Sequence, residues 1–221
     1  MWGLWVIAVL ALTIGSVGEG WSEDAIGTRP LLTITLQDLP SVLPTDSRLL
    51  IAPHVIEQFL DALEGSPPDW RFVYGHGHHD PDHDERLFML NRERDTKRIG
   101  NPALMQLITF TWFGELSRYD SEADGFRVVL GPKFTPTRWG VVRFKYEDLQ
   151  GDLVATASGK LLGQLEQRLA RGESIDITVA MTGRLIPDES VLYDFSHDQE
   201  GLGVIMPVVR VERIDYLLAN Q

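Results

Sequence analysis

The densest concentration of metal-ligand chemistry in the chain is Gly75-His76-Gly77-His78-His79-Asp80-Pro81-Asp82-His83-Asp84-Glu85, which holds four of its six histidines. Imidazole nitrogens and carboxylates are the donors of zinc, copper, nickel and manganese sites, and flexible glycines let a chain fold round an ion. His76, His78, His79 and His83, with Asp80, are therefore candidate ligands for zinc or copper. The segment departs from the zinc-protease signature, because Pro81 and the glycines oppose the helix that signature requires. A calcium loop built on Asp80, Asp82 and Asp84 fails as well, since Glu85 stands where glycine is needed and Asn91 where a bidentate Glu is required. The plain alternative is a solvated loop, polar because it is exposed.

Other chemistries have thinner support. The histidine segment resembles, without matching, the His-rich loop of metallo-β-lactamase-type hydrolases, but the further ligands such folds need along the chain reduce here to His54 and His197. Ser196-His197-Asp198 holds the residue types of a hydrolase triad as consecutive neighbours, whose side chains diverge, whereas a triad is assembled from residues distant in sequence. There is no G-x-S-x-G elbow, and with 0 Cys no thiol nucleophile. Carboxylate neighbours such as Asp188-Glu189 are expected by chance among 32 acids. No phosphate-binding glycine loop with its lysine occurs.

A binding surface has a mechanism of its own. If Val142, Phe144 and Tyr146 face a core, the opposite face of that strand presents Trp139, Val141, Arg143 and Lys145, preceded by Lys133, Phe134 and Arg138. The segment Pro187 to Gly203 adds Tyr193 and Phe195. Trp, Tyr and Arg are the residues that most often anchor interfaces. Trp139, Arg143, Lys145, Arg138 and Tyr193 are thus the candidate face for an envelope ligand or partner protein. The competing reading is that Trp139 packs against the N-terminal half.

The elements that would position these residues fall into two regions, 21–120 and 121–221, which are free to pack as one unit. In the first, Leu31 to Leu36 and Arg48 to Ala52 read as strands. Ile56, Phe59, Leu60 and Leu63 form a helical stripe that begins after Pro53 and ends at Gly65. Trp70 to Tyr74 and Arg86 to Leu90 read as two strands, and Asn101-Pro102 as the start of a helix running towards Trp112. In the second region, Phe126-Val128-Leu130, Val142-Phe144-Tyr146 and Leu153 to Thr156 read as three strands. A helix from Ser158 to Gly172 follows, then strands at Ile175 to Thr182 and Val204 to Tyr216. The apolar face of the last strand switches near Glu212, which a bulge would explain. The fold class is α+β: a mixed α/β half followed by an antiparallel β domain whose β-β-β-α-β-β order is that of an OB-like barrel, among other small β folds.

Composition sets the class of partner. A chain with 43 % hydrophobic and 24 % charged residues is a folded globular protein, and a net charge of −12 opposes nucleic-acid binding. Met1 to Gly18 carry no charged side chain, and the apolar run Trp2 to Ile14 followed by small residues reads as a signal peptide over residues 1–20, cleaved near 18–20. The acidic flank Glu19, Glu23 and Asp24 favours export of the body. Membrane attachment would come through an uncleaved N-terminal segment. The expected protein is periplasmic or secreted and acts as a non-catalytic binding or accessory module of the cell envelope. A metal-binding protein or metal-dependent hydrolase centred on the His76 to Glu85 loop is the alternative.

Overall fold

The computed structural model describes residues 26–35, 38–74, 81–147, 149, 151–187, 191–195 and 203–219. In chain order the elements are β1 (Thr28–Ile34), α1 (Leu39–Val42), β2 (Arg48–Leu49), α2 (Pro53–Glu64), α3 (Trp70–Tyr74) and α4 (His83–Arg98). A 3-10 turn (Pro102–Met105) leads into β3 (Ile108–Asp120), β4 (Gly125–Gly131), β5 (Thr135–Thr137), β6 (Gly140–Val142), β7 (Lys145–Tyr146) and β8 (Val154–Thr156). Then come α5 (Gly159–Ala170), β9 (Asp176–Leu185), β10 (Val191–Phe195) and β11 (Gly203–Ala219).

Six strands close into a barrel in the order β1, β8, β4, β3, β9, β11 and back to β1. The β1–β8 and β1–β11 contacts are parallel and the others antiparallel, so the barrel is mixed rather than wholly antiparallel. Inward side chains alternate along each wall: Ile108, Phe110 and Trp112 on β3, Ile177, Val179 and Met181 on β9, Ile214 and Tyr216 on β11, all buried. The register of β11 against β9 shifts between Val211 and Arg213, the bulge expected near Glu212. It lets Val209 and Val211 before it, and Ile214 and Tyr216 after it, all reach one core.

Several expected elements differ. Trp70–Tyr74 and the segment around Arg86–Leu90 are helical, in α3 and α4. The inward positions of α4 are Leu87, Leu90, Arg94 and Arg98, with the two arginines buried, so a helical stripe carried partly by cations hides the apolar period. Asn101 does cap a turn, its Oδ1 accepting from the Ala103 amide at 2.9 Å, but the turn is short and β3 begins at Ile108. Ile108 to Trp112 is buried throughout, and the β-branched and aromatic composition decides for a strand. The stretch 140–146 is not a ring strand: β6 and β7 pair in parallel with the first half of β11, outside the six-strand circuit.

Helices α2, α3 and α4 pack together where β11 runs beyond the ring, flanked by β10 and β6, with α2 against β5 and α4 against β10. Gly203 sits here because a Cβ would lie 2.0 Å from a Trp70 ring atom. Trp70 is fixed in turn by its Nε1, which donates to the Trp139 carbonyl at 2.7 Å. Gly203→Ala should therefore destabilise by about 1–3 kcal/mol through forced displacement of the indole. Chemical denaturation checks this, and an unchanged midpoint would show that Trp70 yields freely.

Candidate functional site

Among the described residues two places depart from an ordinary core and surface. The first is a buried ionic cluster under the helices. Glu64, the last residue of α2, accepts from Arg98 Nε at 3.1 Å and from the Tyr193 hydroxyl at 2.7 Å, and forms an ion pair with Arg94. Arg98 also reaches Asp95 at 3.0 Å. Side-chain exposure is 1 % for Glu64 and 3 % for each arginine. The Arg94 guanidinium carbon lies 3.9 Å from the Tyr193 ring centroid and 5.3 Å from that of Trp139, so aromatic faces compensate part of its charge. Burial pushes the Glu64 carboxyl up, opposed by the neighbouring Arg98, and pushes the Arg94 guanidinium down. Three chain segments far apart in sequence are tied here, and every charge depends on the others. A groove of about 570 Å³ runs above the cluster, walled by Pro67, Pro68, Phe72 and Met89.

The second place is the outer barrel wall. Phe113 on β3 lies opposite Gly131 on β4, and Val129 is its diagonal neighbour on the same face. With no side chain at Gly131 to shield it, Phe113 is 62 % exposed and Val129 58 %. Past the end of β4, half-buried Lys133 donates from Nζ to Thr111 Oγ1 at 3.2 Å. Among the described residues Lys133 has no carboxylate partner, and its partial burial holds the ammonium pKa below its usual value. In a chain with 32 acids and 20 bases, a cation that no carboxylate among the described residues answers, beside exposed apolar side chains, is a distinctive surface.

The sequence-derived candidates separate between these places. Trp139 does not face solvent: it is fully buried, its Nε1 donating to Asp61 of α2 at 3.1 Å, because the segment 135–142 folds back on that helix. Tyr193 is likewise buried, drawn into the ionic cluster by Glu64. Arg138 is exposed and pairs with Asp61 and Glu57 of α2, so its charge is already answered. Arg143 lies between Trp112 and Phe134, 5.6 and 5.4 Å from their ring centroids, while Lys145 is exposed. The five residues thus do not form one surface.

Of the metal candidates, His76, His78, His79 and Asp80 lie outside the described residues. His83 opens α4, with its Nδ1 3.0 Å from Asp84 Oδ1. Among the described residues no group of three or more His, Asp or Glu side chains converges as a metal site would. His197, and with it Ser196 and Asp198, also falls outside, as does the N-terminal apolar run. Among the described residues no helix is long and apolar enough to cross a membrane.

Glu64, Arg94 and Arg98 were not singled out from sequence. The available signal was faint: two arginines four apart on a helix with few apolar residues, and a Glu ending an otherwise apolar stripe. Phe113 was hidden because its segment read as helix. The arrangement defines the protein as an α+β molecule built on a closed six-strand barrel with additional strands and helices. No protein family, no characterised protein and no solved structure matches the chain in comparisons of sequence and fold.

Proposed function

We propose that this protein is an exported, non-catalytic binding module of the cell envelope, and that its ligand face is the outer barrel wall around Phe113, Val129 and Lys133. The observation that carries the reading is the juxtaposition on that wall of exposed large apolar side chains with a cation that has no carboxylate partner among the described residues, in a strongly acidic chain. Surfaces of this kind mark binding sites in soluble proteins. Export is supported by the uncharged apolar run ahead of Glu19 and the acidic residues after it.

We further infer that the barrel is of the OB type. The order β3, β4, β8, α5, β9, β11 is three strands, a helix and two strands. Removing β1 from the circuit would leave β8 beside β11, a five-strand ring with β1 inserted at one seam. The usual ligand surface of that fold uses its second and third strands and the loop joining the first two. Here β4, which carries Val129, is the second strand, and residues 121–124 form that loop.

The test uses the full chain produced in a Gram-negative host. The protein should be recovered from the periplasmic or secreted fraction with an N-terminus between Glu19 and Ser22. The double variant Phe113→Ser/Val129→Ser should keep its melting temperature, because both side chains are exposed, yet lose retention on immobilised envelope extract. Recovery of intact Met1 in the cytosol would overturn export. Unchanged retention of the double variant would overturn the assignment of the face.

A further inference from the structure

Beside Phe113 the outer wall is indented. Residues 38–51, which hold α1 and β2, form a strap over β9 and β11 that packs Leu39 and Leu43 on Ala180 and Leu217, a second small core outside the barrel. Arg213 holds this strap in place, its Nη2 donating to the Val42 carbonyl at 3.1 Å. Between the strap and the wall lies a half-open pocket of about 120 Å³, lined by Ile34, Leu39, Ile51, Phe113 and Leu217, with Lys133 and Thr111 at one side. Past Phe113, Thr178 and Leu217 it continues into an open trough of about 480 Å³ that ends at Asp176.

We propose that this groove binds a single-chain fatty acid, with its carboxylate on Lys133 and Thr111 and its alkyl chain along Phe113 and Leu217. The inference rests on the reading of the outer wall as a ligand face and gives that face a ligand class. The walls are mostly apolar, with Thr178 the polar group midway between Lys133 and Asp176, so burial of hydrocarbon is the main driving force available. The pocket under the strap, about 120 Å³, is well below the volume of sites that hold bulky ligands, which favours a slim chain over fused rings. At the polar side there is one cation and one hydroxyl. Thr111 Oγ1 accepts from Lys133 Nζ, which leaves the hydroxyl hydrogen to donate. Two donors side by side suit the two oxygens of one carboxylate, and the ammonium, partly stripped of water and without a carboxylate partner among the described residues, gains a counter-ion. Asp176 at the far end of the trough disfavours a second anionic group there, which argues against a dicarboxylate.

The experiment titrates the full-length purified protein with dodecanoate, dodecanol, dodecyltrimethylammonium and dodecyl phosphate by calorimetry at neutral pH. Dodecanoate should bind at one site, at least about ten-fold more tightly than the neutral and cationic analogues, and should protect Lys133 from reductive methylation. Lys133→Met should erase the preference for the anion while leaving dodecanol binding within a factor of about three. Equal affinity for dodecanoate and dodecanol, no binding of dodecanoate, or an unchanged preference in Lys133→Met would each overturn the proposal. So would tighter binding of dodecyl phosphate, which would assign the head-group site to a phosphate. If dodecanoate fails to bind while Phe113→Ser/Val129→Ser still loses envelope retention, the fatty-acid assignment falls and the ligand face stands.

Discussion

Glu64→Ala is expected to lower the melting temperature by about 6–20 °C, the equivalent of roughly 3–5 kcal/mol for a chain of this size. The carboxylate is the shared acceptor of Arg98, the Tyr193 hydroxyl and the Arg94 ion pair, and all three partners are buried. Its removal takes the counter-ion from the buried Arg94 guanidinium and leaves Arg98 with Asp95 as its carboxylate, a penalty comparable with much of the stability of a typical domain. Two companion variants separate charge from packing. Glu64→Gln, which keeps the shape and one acceptor oxygen, should lose less. The double variant Glu64→Leu/Arg94→Leu should be more stable than Glu64→Ala, because replacing a buried ion pair by apolar groups avoids the desolvated orphan charge. Thermal unfolding followed by circular dichroism reads all three. A fall of less than about 2 °C for Glu64→Ala would mean that the cluster does not hold the helices to the β10–β11 hairpin.

Val209→Asp is expected to leave no soluble folded protein. Val209 is fully buried on β11 and is paired on both sides, with Tyr146 of β7 and Leu185 of β9. A carboxylate there would be desolvated inside the main core, at a cost on the order of 5 kcal/mol or more, within the range of a whole domain's stability. The neighbouring Arg210 points the other way, its Nε reaching exposed Glu147 at 3.0 Å. Arg210→Gln should therefore change stability by about 1 kcal/mol at most. Soluble yield and limited proteolysis distinguish the two variants. If Val209→Asp accumulates as a folded protein with an unchanged melting curve, the first half of β11 is not part of the core.

These two positions show what was legible in the chain. Val209 was readable because its strand alternates: Ile205, Val209 and Val211 share a face, and the switch near Glu212 correctly implied one extra residue, since a strand repeats every two residues and any slip exchanges its faces. The α2 stripe was readable because that helix has one wet and one dry face, and the strand from Ile175 because apolar and polar residue types alternate along it, although Ala180 and Thr182 on its outer face are buried too. Glu64 was not. A Glu closing an apolar helix looks like any solvated end until Arg94 and Arg98, thirty or more residues later, are brought against it.

Where both faces are buried, or where long cations replace apolar residues, local pattern fails. Ile108 to Trp112 has no wet side, and the inward stripe of α4 ends in two arginines, so each took the wrong secondary structure from sequence. The face of Trp139 failed for a different reason. Strand alternation tells which side chains lie together, but whether that side meets water depends on α2, to which Trp139 and Arg138 are bonded through Asp61. By itself the sequence determined the class of the protein: acidic, cysteine-free and α+β, with a strand, helix and bulge order through its last third that local periodicity encodes. Tertiary structure alone decided the closure of the barrel by β1, the burial of Glu64 with its arginines, and the meeting of Lys133 with Thr111. Each of these depends on which distant segments meet, and pairing between distant segments leaves no periodic trace in either of them.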